Sequence, residues 1–242
     1  MSERSVLLGS RIRMYRLALN MSLQDFADRL HKSASAVSKY ESGDIVINID
    51  ILYEIAGVLG VSAPELLSAV KDQKSGPSGV PGAQGPGSQA AGATRTVCSM
   101  YQYSKSDDKI LRSLIEHYGS PAGDQFSVTI FYDVPSFSNL AKCKSLYRGS
   151  MKKDGFIYNY QMTNMNNPTE HVFLCCLKSF DATCPDIGLL VGLSSKSLHP
   201  EAVKVIISDN PLNEGAELKE LLLIDADDIR HIKRDNYLVL TK

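Results

Sequence analysis

Ser33, Ala34, Ser35, Ser38 and Lys39 bring three hydroxyls, a methyl and an ammonium together within seven positions of the chain. A serine hydroxyl donates or accepts a hydrogen bond, and an ammonium donates and carries charge to an anion. Gln24, Lys32 and Arg13 stand nearby as further donors. This chemistry is hydrogen bonding to a polyanion rather than bond making. Three other sets carry different possibilities. His171, Cys175, Cys176 and Cys184 offer metal-ligand or thiol chemistry. Gly149-Ser150-Met151, with Lys178 or Lys196, offers a serine nucleophile and a lysine base. Phe131, Tyr132, Tyr147, Phe156, Tyr158, Tyr160 and Phe173, with Arg148 for charge, could line a small-molecule pocket.

The first set needs two short helices to hold it, and the surrounding residues supply them. Ser22 and Ser33 are N-cap types, and Gly43 is a helix stop. Phe26, Ala27 and Leu30 form the buried side of the first helix, Val37 and Tyr40 that of the second. Ala27 lets the helices cross closely, and a turn of about three residues sets them near perpendicular. Leu8, Ile12, Tyr15 and Leu19 predict a preceding helix, with Arg11, Arg13 and Arg16 mostly off its apolar side as a solvated face or a phosphate clamp. Ile51, Leu52, Ile55, Ala56 and Leu59 predict a fourth helix, and Ser62, Pro64 and Glu65 open a short fifth.

Residues 8–70 resemble the helix-turn-helix family typified by the phage lambda and 434 repressors and the bacterial Xre-type regulators. The resemblance rests on Phe26, Ala27, Leu30, Ser33, Ser35, Val37, Ser38, Lys39, Tyr40, Glu41 and Gly43, then on Leu52-Tyr53-Glu54-Ile55-Ala56 and Leu59-Gly60-Val61-Ser62. It implies a five-helix all-α domain in which Ala34, Ser35, Ser38 and Lys39 face bases or flanking phosphates. Where the family has a glutamine at the start of its first motif helix this chain has Leu23, with Gln24 one place later. His31 and Lys32 replace the usual turn glycine and apolar residue, so Lys32 is expected to reach a phosphate rather than to pack.

Charge is distributed accordingly. The chain of 242 residues has a formal net charge of -1, but residues 1–40 hold seven basic and three acidic groups, and residues 41–74 reverse the balance. One basic and one acidic face would orient a small domain on DNA. No run reaches the about 18 apolar residues of a membrane span, and Met-Ser-Glu-Arg lacks a signal core, so a cytoplasmic, nucleoid-associated protein without membrane contact is expected.

The domain boundaries expected are 1–73 for the helical domain, 74–96 for a flexible Gly/Pro/Ser-rich linker, and 97–242 for a sensor or dimerisation domain. Most aromatic residues lie in the last part, which argues for a second core. A helix is predicted near Asp107–Tyr118, from Ile110, Leu111, Leu114 and Ile115. Strands are predicted at Ser127–Tyr132, Leu146–Met151, Phe156–Met162, His171–Leu177, Gly188–Leu193 and Val203–Ile207, with a hairpin at Asp154-Gly155. Helices at Glu217–Leu222 and Asp227–Arg234 and a last strand at Tyr237–Leu240 complete an α+β domain with an antiparallel sheet.

The expectation is a sequence-specific DNA-binding transcriptional regulator, a repressor working as a homodimer on double-stranded DNA, with an effector-sensing or oligomerising second domain. No cofactor, metal or enzymatic activity is expected. Two alternatives stand beside it. A metal or thiol-redox sensor is weakened because Cys175 and Cys176 would point to opposite faces of a strand. A self-cleaving phage-type repressor, cut at Ala91-Gly92, is weakened by the spacing of Lys178 and Lys196 from Ser150.

Overall fold

The computed structural model describes residues 2–71, 94–181, 184–193, 199–235, 238 and 240. The expected linker up to residue 93, part of the expected last strand, and Lys196 lie outside the described residues. The chain divides into two compact units, Met1–Arg95 and Thr96–Lys242.

The first unit contains α1 (Glu3–Ala18), α2 (Leu23–Arg29), α3 (Ala34–Ser42), α4 (Ile49–Leu59) and α5 (Ala63–Lys71). Each start from α2 to α5 has a side-chain cap. Ser22 and Asp25 satisfy one another's backbone N–H groups at α2, Ser33 accepts from the Ala36 N–H at α3, and Asn48 from the Ile51 N–H at α4. At α5 the Glu65 carboxylate accepts from the Ser62 N–H, and the Ser62 hydroxyl from the Glu65 N–H. Gly43 (φ 79°) and Gly60 (φ 65°) end α3 and α4 in the left-handed region. The core is Leu8, Ile12, Tyr15, Phe26, Ala27, Val37, Ile55, Leu59 and Leu66, all buried. Ala18 takes the inward place expected of Leu19, because α1 ends there and the chain turns at Asn20.

The basic residues of α1 do not form the face expected of them. Arg16 is buried and grips Glu41 of α3 with two hydrogen bonds, 2.6 and 2.9 Å, while a third reaches the Met21 carbonyl at 2.8 Å. Arg11 is buried too: its Nε donates to the Glu65 carbonyl at 2.9 Å and its Nη2 to the Tyr15 hydroxyl at 3.2 Å. Arg13 alone of the three is exposed. Beside the Arg16 pair, Gly9 brings α1 against the backbone of α3. A Cβ there would stand 2.4 Å from the Tyr40 carbonyl oxygen and 2.5 Å from that of Glu41.

The described part of the second unit is a closed antiparallel barrel rather than the α+β open sheet expected. Its strands are β1 (Thr94–Ser104), β2 (Lys109–Gly119), β3 (Gln125–Tyr132), β4 (Ser145–Asp154), β5 (Ile157–Asn164), β6 (His171–Leu177), β7 (Asp186–Leu193) and β8 (Pro200–Ser208). Each pairs with the next, and Ser99 opposite Ser208 closes β1 on β8. The hairpin at Asp154-Gly155 is present, with Gly155 at φ 61° and Asp154 opposite Ile157.

The helix predicted near Asp107–Tyr118 is strand β2, and β1 before it had no prediction. Both are apolar on two faces. Cys98, Met100 and Ile115 join the barrel interior, whereas Tyr101, Tyr103 and Ile110 join an outer cluster with Leu218 and Leu222 of α6 (Ala216–Leu222). A strand covered on both sides loses its apolar-polar alternation, and Ile110, Leu111, Leu114 and Ile115 then imitate a helix. A further helix, α7 (Ala226–Asp235), follows.

Candidate nucleic-acid interface

The candidate interface is built on the outer side of α3. Ser35, Ser38 and Lys39 are exposed and make no side-chain hydrogen bond or ion pair among the described residues; Ala34 is half-buried beside them. Among the described residues nothing competes for these groups, which leaves their donors and acceptors to an incoming surface. The first turn of α3 contains no acidic residue, while those of α2, α4 and α5 hold Asp25, Asp50 and Glu65. The partial positive charge of the α3 N-terminus is therefore not offset within its own first turn.

The other expected contacts are placed less simply. Ser33 is committed to its cap at 3.1 Å. Gln24 donates to Asp28 along α2 at 2.7 Å. Lys32 lies 3.6 Å from Glu54 of α4, at half-exposed positions where such a pair contributes little. Arg13 is exposed without a partner among the described residues. His31, standing where the family has glycine, adopts φ 52°, so the turn keeps the left-handed geometry with a residue less suited to it. At the α2 N-cap, hydrogen bonds from Ser22 hold the Asp25 carboxyl below its ordinary range.

In the barrel, the residues expected to line an effector pocket do not all converge on one site. Tyr147 lines a cavity of about 110 Å³ at one mouth of the barrel. Tyr160 and Tyr158 belong to the packed interior, where the Tyr160 hydroxyl lies 3.0 Å from His117 Nε2. Arg148 projects from the outer face and donates to Thr129 at 3.3 Å. Phe173, about half exposed, stands in an open outer groove with Cys175, Leu189 and Val191. Tyr132, expected among the pocket aromatics, lines the same cavity as Tyr147, whereas Gln102 beside it had no prediction. Gln102 alternates with Met100 on a strand that had no prediction, and this alternation is the signal that would have placed it inward.

The residues singled out for covalent or metal chemistry are also dispersed. Cys175 is exposed and Cys176 buried, on opposite faces of β6, and His171 is 3.0 Å from the Thr163 hydroxyl. No group of three or more potential metal ligands occurs among the described residues. Burial pushes the Cys176 thiol up to about 12 and that of Cys143 to about 11, and raises that of Cys98 as well. Ser150 is exposed on β4, beside Gly149, where a Cβ would collide with the Gln161 carbonyl oxygen at 1.9 Å. Partial burial alone would lower the Lys178 pKa, but hydrogen bonds and charge from Asp186 and Asp209 outweigh it and hold the ammonium above its ordinary value. That is opposite to what a lysine base requires.

Two capped helices, a short turn between them and an exposed, carboxylate-free start to the second define a helix-turn-helix DNA-binding domain. Residues 12–66 match the helix-turn-helix family of the Xre/Cro type. The clp gene regulator ClgR from C. glutamicum is similar to 31% of this chain over 97% of its own length, at 20% identity and a TM-score of 0.29. No curated protein matches the chain. Among the described residues, no helix is long and apolar enough to cross a membrane.

Proposed function

We propose that this protein is a transcriptional regulator that binds double-stranded DNA in a sequence-specific way through α3 and represses by occupying its operator. The observation that carries the reading is the face of Ser35, Ser38 and Lys39, exposed and uncommitted on a capped helix. Placed in a major groove, the two hydroxyls meet base edges and Lys39 meets a phosphate. No arginine, asparagine or glutamine stands on this face, so direct readout is modest and DNA shape supplies part of the specificity.

One α3 reads only a few base pairs. A homodimer setting two such helices about 34 Å apart along the duplex makes the affinity useful, and the barrel serves as the oligomerising or effector-sensing part. The place of action is the nucleoid, in the cytoplasm, and no catalytic step or cofactor is assigned to the chain.

Selection from a random-sequence duplex pool, followed by fluorescence anisotropy on the enriched site, tests this. The expected result is a motif of two related half-sites, bound far more tightly than random duplex and weakened by Lys39→Ala without unfolding. No enrichment, or equal affinity for all duplexes, overturns it.

A further inference from the structure

The barrel interior is unequally filled. Toward one end, Cys98, Ile115, Val128, Met151, Tyr160, Leu174 and Cys176 pack together. At the other mouth, Met100, Ile130, Met162, Val172, Leu190 and Val203 surround the cavity of about 110 Å³ instead. An eight-stranded barrel has room either to be filled by side chains or to hold one small ligand, and mouths of barrels are favoured ligand sites.

In the wall, Tyr147, Glu170 and Tyr132 are committed to protein partners, and the buried group that is not specifies a ligand. The Tyr147 hydroxyl and the Asn164 amide donate to the two carboxylate oxygens of Glu170, the second at 2.9 Å. Gln102 donates from Nε2 to the Tyr132 hydroxyl at 2.7 Å. Its carbonyl oxygen, however, is buried with no partner among the described residues, on a side chain of a residue only 8% exposed. A buried amide oxygen without a donor is costly, so its presence beside a cavity calls for a donor from outside the chain.

Having accepted from Gln102, Tyr132 keeps its own proton to donate. Burial holds the phenols of Tyr132 and Tyr147 above their ordinary range, so both stay neutral donors. The two rings stand edge to face, 5.9 Å apart. The Gln102 carbonyl and the Tyr132 hydroxyl, neighbours in the cavity lining, thus pair an acceptor with a donor beside an apolar floor. This pair matches an N–H beside a C=O.

We propose that the barrel mouth binds a small uncharged amide, open-chain or cyclic, whose N–H donates to the Gln102 carbonyl and whose C=O accepts from the Tyr132 hydroxyl. The inference rests on the reading of the barrel as the sensing part of a regulator. A cation fits less well, because both oxygens of Glu170 are already occupied. An anion would meet Glu170 and Glu201 against Lys144 alone at the cavity lining.

The test uses the full chain with methyl-labelled methionine and follows NMR shifts during titration with 2-pyrrolidinone, N-methyl-2-pyrrolidinone and pyrrolidine. The lactam should shift Met100 and Met162 saturably and leave Met151 unmoved. N-methylation, which removes the donor, should weaken binding at least tenfold, and the cationic pyrrolidine should bind no better than the N-methyl compound. Gln102→Leu and Tyr132→Phe should each weaken the lactam by a similar factor; the probe comparison on the unaltered chain stands if either variant misfolds. Absence of saturable shifts, equal binding of the N-methyl compound, or preference for pyrrolidine overturns the proposal. The titration contains no DNA. A chain that binds the lactam but selects no DNA refutes the regulator reading alone, and one that selects DNA but ignores the lactam refutes this site alone.

Discussion

Arg13 and Arg16 stand one turn apart on α1, and removing each should fail in a different way. Arg16→Ala deletes the three hydrogen bonds to Glu41 and Met21 and leaves a buried carboxylate facing no cation. Breaking such a pair from one side costs about 3–5 kcal/mol. A unit of this size holds roughly 4–10 kcal/mol in all, so the variant stands near its unfolding limit at 25 °C. Replacing both partners with apolar groups, as in Arg16→Met with Glu41→Leu, removes the stranded charge and should recover most of that loss. Arg13 and Lys39 are exposed without partners among the described residues, so Arg13→Ala and Lys39→Ala should change stability by less than about 0.5 kcal/mol. Each should instead reduce the slope of log affinity against log salt by about 0.9, because one phosphate is no longer neutralised. Urea denaturation followed by circular dichroism at 222 nm reads the first quantity, and anisotropy on the selected duplex at several salt concentrations reads the second. An Arg16→Ala midpoint equal to that of the unaltered chain would refute the structural role. A paired variant that folds but loses salt slope would show that Arg16 touches DNA after all.

His31→Gly should raise the stability of the helical unit by about 1 kcal/mol, because glycine accepts the φ of 52° without steric cost; an unchanged or lower urea midpoint counts against it. Burial pushes the His117 imidazole down to about 4, so between pH 6.5 and 4 the unfolded chain binds a proton that the folded barrel refuses. Barrel stability should therefore be full above pH 6.5 and fall by about 3 kcal/mol as pH drops through that window, a component that disappears in His117→Asn when the two urea series are subtracted. Cys175 and Cys184 are exposed while Cys98, Cys143 and Cys176 are buried, so a disulfide reagent should modify the first two quickly and the others only on unfolding. Rapid modification of Cys176 in the folded chain would place it elsewhere than the barrel interior.

What could be read from sequence was local. Ser22, Ser33 and Gly43 mark helix ends by interactions within a few residues, and the apolar periodicity of α1 to α4 follows a single buried side. The burial of Arg11 and Arg16 was not readable, because it is created by Glu65 and Glu41, which lie far along the chain. β1 and β2 were missed for the related reason that α6, contributed by the end of the chain, covers their outer side. Aromatic character does not by itself distinguish the two faces of a strand. Neighbours such as Tyr147 and Arg148 must point to opposite faces, and parity alone would have sent Arg148 and Phe173 outward.

The closure of β1 on β8 also orders events during synthesis. α1 to α5 are complete once the first unit has left the ribosome, because α3 and α5, against which α1 packs, have both been made by Lys71. The barrel has no such freedom, since Ser99 finds its partner only when Ser208 has been made. A nascent chain would thus hold a finished DNA reader attached to an open, unpaired sheet, whose exposed edges are the segment in need of chaperoning.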